Sequence, residues 1–573
     1  MNALNTFLQS PLPRFADSLA ACQPKPLERS RSRSVIAALV FLCLVPRAVL
    51  AWMLEVVCSD GYYYIAVADA LDRGDLPAAF SYLNLNVYPA VLLLLHRAGL
   101  EWVFAAKLWG VLIGSLTVLP LFGWVRRMFD DRIAVIACLL YAVHPEVIEL
   151  SPEPIRETTF WFLATLFLYA AIRAVAENKL WLFALAGVTL TLAVHTRSEG
   201  WLLVLPVVAW SAFRFRRQTR ARLKLIGGIA VCLAVLPGLL FMTNVTLLRH
   251  HPQWEWGRLE FFRTAYYWAV PVSESPQPPA VAEPEVALEQ SPAAAVASPN
   301  VQSVRNHSVG AALPTYLDAF ISSFEPLAVF LTLVGLVVAR GALLQRDKLL
   351  LWILAPGILA AVWIRLLVIG NLNGRYFLTL FFLLAPFTAI GQLMLLRWLN
   401  AVASRLGGVA AAKRLSPAVI LFLIVCGCWV DALTFDHAHR ANEAALGRWL
   451  RSQIGPVHLA VVDKESATVG YFAQAGFPRM LLAREGAEDV LPTSKPDLLI
   501  IEAGDFTSWS SEYREVVATS CASQGLERMT IDESLRAGDH YVVFGTPMRQ
   551  SHDVMEGSPT PPIPSRMRSA ARE

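Results

Sequence analysis

The chain has 573 residues and a mean hydropathy of +0.48; 55% of its residues are hydrophobic and only 16% are charged. Soluble domains carry about 25% charged residues, so this composition excludes a soluble protein over most of the length and indicates a multi-pass membrane protein. A net charge of +4 is too small to indicate nucleic-acid binding.

Residues 1–34 are polar and are predicted to form a cytoplasmic segment rather than a cleaved signal, because the apolar run that follows is long enough to stay in the bilayer. A helix needs about 20 apolar residues to cross the hydrocarbon layer. Runs near this length predict about eleven transmembrane helices. They are residues 35–54, 102–124, 133–150, 157–173, 180–195, 199–213, 225–243, 321–339, 349–369, 376–396 and 416–434.

Lysine and arginine predict the orientation of these helices, because loops rich in both stay in the cytoplasm. With the N-terminus inside, the inner loops hold 23 of them, whereas the longer outer loops before the last domain hold nine. The loops 55–101 and 244–320 are therefore predicted to lie outside, the first with helices along the membrane surface. Within the second, residues 271–300 are rich in Pro, Ala, Ser and Glu, a composition that predicts disorder.

The last part of the chain, residues 436–549, is predicted to be a small extracytoplasmic α/β domain, followed by a disordered tail at 550–573. Strand-like and helix-like runs alternate in it. The runs are His458–Val462, Ser466–Ala475, Leu498–Ile501, Ser511–Ser523 and Tyr541–Phe544.

Ionisable residues gather at the predicted outer ends of the helices, where charged groups are usually functional. The spacing of Glu153, Arg156 and Glu157 predicts that they share one helix face. Arg365 lies near the outer end of the ninth predicted helix. The candidate site residues are Asp60, Glu153, Arg156, Glu157, His195, Arg197, Glu199, Arg375 and Tyr376.

These residue types suit a phosphate and a proton transfer. Guanidinium groups bind two phosphate oxygens and keep their charge, and a phosphate at the membrane surface belongs to a lipid. A nearby carboxylate can take the proton of an acceptor hydroxyl. Simpler interpretations stay open: Asp60 as a turn or helix-cap residue, the Glu and Arg residues as ion pairs or a solvated turn, His195 as a structural residue and Arg375 as an interfacial anchor.

The chain resembles the GT-C membrane glycosyltransferases of family 39, which include dolichyl-phosphate-mannose protein mannosyltransferases and bacterial aminoarabinose transferases of lipid A. The resemblance covers roughly residues 35–400. It rests on DGYYYIAVADAL at 60–71, on the proline-led apolar segment from Tyr88-Pro89, and on RYFLTLFFLLAP at 375–386. Some relatives also have a soluble C-terminal domain. The resemblance implies a GT-C-type polytopic α-helical fold, with residues 35–434 as the catalytic module.

The resemblance further implies that Asp60 is the catalytic base and that Arg375 binds the lipid phosphate. Two departures matter. Many relatives have an acidic pair where this chain has Asp60-Gly61, which weakens a metal site there. Many have two prolines in the segment where this chain has one, in Tyr88-Pro89. This departure leaves the identity of the donor headgroup undecided.

We therefore expect a hexosyl- or pentosyltransferase that moves a sugar, with inversion, from a polyprenyl-phosphate donor to a hydroxyl acceptor on a protein, lipid or surface glycan. Arg197 or Arg156 would assist Arg375, so that no metal is required; a divalent metal stays an alternative. The expected location is the bacterial inner membrane, with the site on the extracytoplasmic face. The alternatives are a lipid or solute transporter, which predicts paired repeats, and a non-catalytic membrane scaffold.

Overall fold

The computed structural model describes residues 29–210, 309–405 and 427–546, with gaps inside these ranges of which the longest is 481–495, and four residues between 227 and 231. The chain divides into two compact units, Met1–Ala441 and Asn442–Glu573. The predicted disordered segments 271–300 and 550–573 lie outside the described residues, as do most of the predicted spans 225–243 and 416–434 and of the segment 1–34.

The described part of the first unit is helical, as its long apolar runs predict. Its helices are α1 (Arg29–Met53), α2 (Ser59–Asp72), α3 (Val87–Arg97), α4 (Trp102–Leu116), α5 (Val118–Met128), α6 (Asp131–Val143), α7 (Pro145–Glu149), α8 (Glu157–Glu177), α9 (Leu180–Thr196), the 3₁₀ turn η1 (Ser198–Leu203), α10 (Val309–Phe324), α11 (Pro326–Leu343), α12 (Leu349–Ile369), the 3₁₀ turn η2 (Gly374–Tyr376) and α13 (Leu378–Arg405).

Among the described residues, four helical stretches are long and apolar enough to cross a membrane, and a bent pair makes a possible fifth. The chain is thus a multi-pass α-helical membrane protein, while the count of about eleven spans stays a prediction. The four stretches are Ser32–Met53, Trp102–Met128, Glu157–Glu177 and Leu378–Trp398.

Two spans predicted as continuous are interrupted, each at the residue before a proline. The run 133–150 breaks at His144, whose extended backbone (φ −62°, ψ 120°) separates α6 from α7. The run 321–339 breaks at Glu325 (φ 63°), where α10 and α11 meet at 91°. A proline ring disfavours right-handed helical geometry in the residue that precedes it, so neither predicted span forms one continuous helix.

Close backbone contact joins α11 to α13 in the core of the first unit. A Cβ at Gly335 would lie 1.8 Å from the Phe387 carbonyl oxygen, and one at Gly391 would lie 1.9 Å from that of Leu331. The buried hydroxyls of Thr332 and Thr388 are 2.7 Å apart across the same crossing. Small residues and a hydroxyl pair are the usual means by which membrane helices approach each other.

The second unit contains a five-stranded mixed sheet with order β2-β1-β3-β5-β4. β2, β1 and β3 are parallel, and β5 runs antiparallel to both β3 and β4. β1 and β5 are buried along their whole length, which indicates cover on both faces of the sheet. The elements are α14 (Ala438–Ile454), whose first turn precedes the unit boundary at Asn442, β1 (Ala460–Val462), α15 (Ala467–Ala473), β2 (Arg479–Met480), β3 (Leu498–Glu502), α16 (Ser511–Ser523), β4 (Glu527–Arg528) and β5 (Tyr541–Gly545).

Candidate functional site

Asp60 lies in the first turn of α2, directly above the segment that leads into α8. The N-cap of α2 is Cys58, whose backbone N–H donates to the Glu153 carboxylate over 2.9 Å. A Cβ at Gly61 would lie 2.7–3.0 Å from the ring of Pro154. Glycine after Asp60 therefore allows α2 to pack closely against residues 153–154, and this contact positions the Asp60 carboxylate relative to the start of α8.

The prediction that Glu153, Arg156 and Glu157 share one helix face is wrong. α8 begins only at Glu157, and Arg156 is its N-cap. Pro152 and Pro154 precede it, and each keeps the residue before it out of helical geometry. Glu153 consequently turns toward Cys58, while Glu157 points into the site described next.

Four distant segments meet in one alternating chain of charges. Arg375 contacts the Asp60 carboxylate at 2.8 Å and the Glu157 carboxylate at 3.7 Å. Arg197 is ion-paired with Glu157 on one side and with Glu199, at 2.6 Å, on the other. This series of alternating charges therefore runs from Asp60 through Arg375, Glu157 and Arg197 to Glu199. Asp60 and Arg375 at one end (22% of each side chain exposed) and Glu199 at the other (33%) are partly accessible, whereas Arg197 between them is only 5% exposed.

The carboxylates keep both arginines charged. Burial lowers the pKa of Arg375, but Glu157 and Asp60 more than offset this, and the net pKa lies above its usual value. Arg197 behaves in the same way, with burial opposed by Glu199 and Glu157. Burial also raises the pKa of Glu199, yet the Arg197 guanidinium outweighs it and lowers the pKa to about 2. The site thus offers fixed positive charge at neutral pH.

Aromatic rings hold the guanidinium groups in place. Three arginines surround the Tyr376 ring, with Arg365, Arg197 and Arg375 at 4.2, 5.1 and 5.9 Å from its centroid. The Arg156 guanidinium lies 5.7 Å from the ring centroid of Tyr64. Such cation–π contacts orient a guanidinium without neutralising it.

His195 is buried in the last turn of α9, at the base of the turn that carries Arg197 and Glu199. The structure therefore brings Asp60, Glu157, Arg197, Glu199, Arg375 and Tyr376 together, with Arg156 above Tyr64 and Glu153 beneath α2. Within the described part of the chain, no three His, Cys, Asp or Glu side chains have the arrangement of a metal site.

Sequence reasoning missed Arg47, which is fully buried in α1. Its guanidinium donates to the carbonyls of Tyr141 and Ala142 at the end of α6 and to the Ser151 hydroxyl at 2.9 Å. The last carbonyls of a helix lack intrahelical partners, so Arg47 caps α6 and ties the segment before α8 to α1. A single arginine inside an apolar run was the signal that could have found it.

The arrangement combines a partly accessible carboxylate with positive charge held beside it. Asp60 can accept a proton, and the guanidinium of Arg375 can hold an anion within one contact of that carboxylate.

Comparison with known proteins gives two kinds of match. Residues 91–241 match the family model described as dolichyl-phosphate-mannose-protein mannosyltransferase. This segment contains Glu157, Arg197 and Glu199 but neither Asp60 nor Arg375. A search of curated protein sequences finds no match.

Among solved structures, the chain is similar to ArnT from Cupriavidus metallidurans. The form bound to undecaprenyl phosphate gives a TM-score of 0.57 at 15% identity, covering 90% of this chain and 98% of that one. The apo form gives 0.53 at 13% identity, covering 89% and 97%. The apo oligosaccharyltransferase of Archaeoglobus fulgidus gives 0.48 at 14% identity, covering 86% and 69%. The likeness to ArnT shows a shared fold along nearly the full length of both chains.

Proposed function

We propose that this chain is a membrane glycosyltransferase of the GT-C type, which moves a sugar from a polyprenyl-phosphate donor to a hydroxyl acceptor with Asp60 as the base. The observation that carries the proposal is the contact of Asp60 with Arg375 at 2.8 Å. A base for the acceptor and a cation for the leaving phosphate must lie within one reacting group of each other, and these two side chains meet that condition.

The ion pair between Asp60 and Arg375 in the protein without donor implies that Arg375 acts before Asp60. A donor phosphate that enters the site offers Arg375 a second anionic partner, so that Arg375 turns from Asp60 toward the phosphate. The freed carboxylate of Asp60 is then the stronger base, because a carboxylate beside a guanidinium binds a proton less readily. Donor binding thereby prepares the base for the acceptor.

The transfer itself is a single displacement. Asp60 takes the proton of the acceptor hydroxyl, and the acceptor oxygen forms a bond to the anomeric carbon. The bond from that carbon to the phosphate oxygen breaks, and polyprenyl phosphate leaves with the electron pair. Arg375 stabilises the charge that develops on the phosphate, and Arg197, held by Glu157 and Glu199, adds a fixed positive field. One displacement inverts the anomeric configuration.

The polyprenyl carrier is supported by the fold shared with ArnT, whose solved structure contains undecaprenyl phosphate, and by the family description of residues 91–241. The hydroxyl belongs to a protein, a lipid or a surface glycan. The excess of Lys and Arg in the alternate loops supports an extracytoplasmic site.

The test is mass spectrometry of surface glycans, glycoproteins and lipids from a deletion strain. We expect one hexose or pentose modification to disappear. Wild-type protein should restore it, and Asp60→Asn protein made in equal amount should not. Restoration by the Asp60→Asn variant, or no lost modification in any of the three fractions, would contradict the proposal.

A further inference from the structure

Arg365 is the one charged residue of α12 and lies four positions before the helix ends at Ile369. At a rise of about 1.5 Å per residue, the Cα of Arg365 lies about 6 Å along the helix axis from that end. A charge at this depth of an apolar helix is costly unless a partner or a ligand compensates it.

The partners of Arg365 do not compensate its charge. Its Nη2 donates to the Tyr376 hydroxyl over 2.7 Å, and its guanidinium lies 4.2 Å from the centroid of the same ring. Its Nε is buried without a hydrogen-bond partner in the described part of the chain. Among the described residues, no carboxylate forms an ion pair with it, whereas Arg375 and Arg197 each contact two.

These contacts leave one buried donor of the guanidinium without an acceptor among the described residues. The ring of Tyr376 covers one face and its hydroxyl takes one amino group, so the orientation is fixed while Nε still lacks an acceptor. A planar fork of N–H donors matches two oxygens of a phosphate. Because Arg375 directly precedes Tyr376 in η2, a phosphate on Arg365 would lie beside the arginine that contacts Asp60.

We propose that Arg365 binds the phosphate of the polyprenyl carrier and that Tyr376 is its positioning residue. The inference rests on the proposed function and divides the work between two arginines. Arg365 holds the carrier phosphate before and after transfer, while Arg375 moves between Asp60 and the phosphate. The position of Arg365 near the end of an apolar helix favours a lipid phosphate over a free one, since the polyprenyl chain can lie along α12.

Arg156 is the rival, because its Nε is also buried and has no hydrogen-bond partner among the residues that the structure describes. It differs in place: it is the N-cap of α8 and lies over Tyr64 rather than Tyr376. Substituting each arginine separately therefore distinguishes the two candidate phosphate-binding positions.

The test measures undecaprenyl-phosphate binding to purified full-length protein in phosphatidylcholine nanodiscs. Arg365→Gln should weaken binding about 10- to 100-fold, as expected for a lost charge-assisted pair of hydrogen bonds. Arg365→Lys should give an intermediate affinity, and Tyr376→Phe should weaken binding about 3- to 10-fold. Arg73→Gln, at an exposed arginine paired only with Asp69 in the described structure, is the matched control and should bind like wild type.

Thermal unfolding without ligand separates binding from structure. If Arg365 serves a ligand, Arg365→Gln protein unfolds at the wild-type temperature or above it, and undecaprenyl phosphate no longer raises that temperature. A lower unfolding temperature together with wild-type affinity in the folded fraction would overturn the inference in favour of a structural role.

The other outcomes are equally decisive. Wild-type affinity in Arg365→Gln with loss in Arg156→Gln moves the phosphate to Arg156 and leaves the proposed function intact. If inorganic phosphate at equal concentration displaces undecaprenyl phosphate, the site binds free phosphate, and the inference of a lipid ligand is wrong. Absence of binding to the wild-type protein overturns both the inference and the polyprenyl carrier of the proposed function.

Discussion

Asp60 and Arg375 each have a partner in the resting protein, and this is the main property of the site at the scale of single residues. An aspartate that only capped α2 would bond to backbone N–H groups of its own helix, but the N-cap is Cys58 and the carboxylate of Asp60 contacts Arg375. An arginine that only anchored the chain at the interface would extend to water, but Arg375 contacts two carboxylates. Both simpler interpretations are weakened by the same ion pair.

Substitutions at these two positions should therefore have different signatures. Asp60→Asn keeps the size of the side chain but cannot take a proton, so turnover should fall about 10²- to 10⁴-fold. Donor binding should be at least as tight as in wild type, because Arg375 loses an anionic competitor. Arg375→Ala should weaken donor binding as well as turnover, and Arg375→Lys should restore part of each.

Expression, thermal stability, donor binding and turnover of the purified variants check this prediction. Full turnover in well-folded Asp60→Asn protein would remove Asp60 from the mechanism. A loss of stability in both variants, with normal specific activity in the folded fraction, would return both residues to structural roles.

Gly61 allows a second prediction at this scale. In Gly61→Ala the new methyl group meets the Pro154 ring at 2.7–3.0 Å, so α2 must move and carry Asp60 with it. We expect lower turnover and a loss of about 1–3 kcal/mol in the free energy of unfolding. Pro154→Ala on the same background should recover part of both, and a double-mutant cycle measures the coupling. Additive effects of the two substitutions would show that the contact does not position the base.

At the scale of helices and strands, the sequence predicts well where a helix or strand forms, but it predicts poorly whether that element runs without a break. The span predicted at 349–369 coincides with α12, and the helix predicted at 511–523 coincides with α16, because apolar length and periodicity decide whether an element forms. The breaks at His144 and Glu325 were not predicted, since average hydropathy does not register one proline. The meeting of Asp60 with Arg375 depends on tertiary packing, which no local pattern encodes.

The crossing of α11 and α13 gives a test of the helix packing. In Gly391→Ala the new Cβ would lie 1.9 Å from the Leu331 carbonyl oxygen, so the two helices must separate. We expect the melting temperature to fall clearly, with a destabilisation at or above the usual 1–3 kcal/mol of an overpacked core. Gly357→Ala in α12 is the matched control, because a Cβ there meets nothing within 4 Å. Equal melting temperatures for the two variants would contradict the close approach.

The orientation in the membrane concerns the whole molecule and rests on its charge distribution. The inner loops are predicted to hold 23 Lys and Arg residues against nine outside, an asymmetry that predicts a cytoplasmic N-terminus. That predicted orientation would place Asp60, Arg375 and the second compact unit on the extracytoplasmic side, where a lipid-linked sugar would be used.

Reporter fusions at residues 218 and 500 test this orientation. The reporter at 218 should be active in the cytoplasm and the one at 500 outside it, with alkaline phosphatase and green fluorescent protein as complementary reporters. A cytoplasmic signal at 500 would reverse the predicted side of the second unit and remove the argument for an extracytoplasmic transfer.

The contact of Gly61 with Pro154 also constrains how this chain and its relatives diverge. Since a Cβ at 61 would enter the Pro154 ring, neither position can change freely while the other is retained. Lineages with an acidic residue after the aspartate should carry a smaller residue in place of this proline, or a shifted segment ahead of α8. The two positions should therefore covary across an alignment of relatives, and glycine at the first should accompany proline at the second.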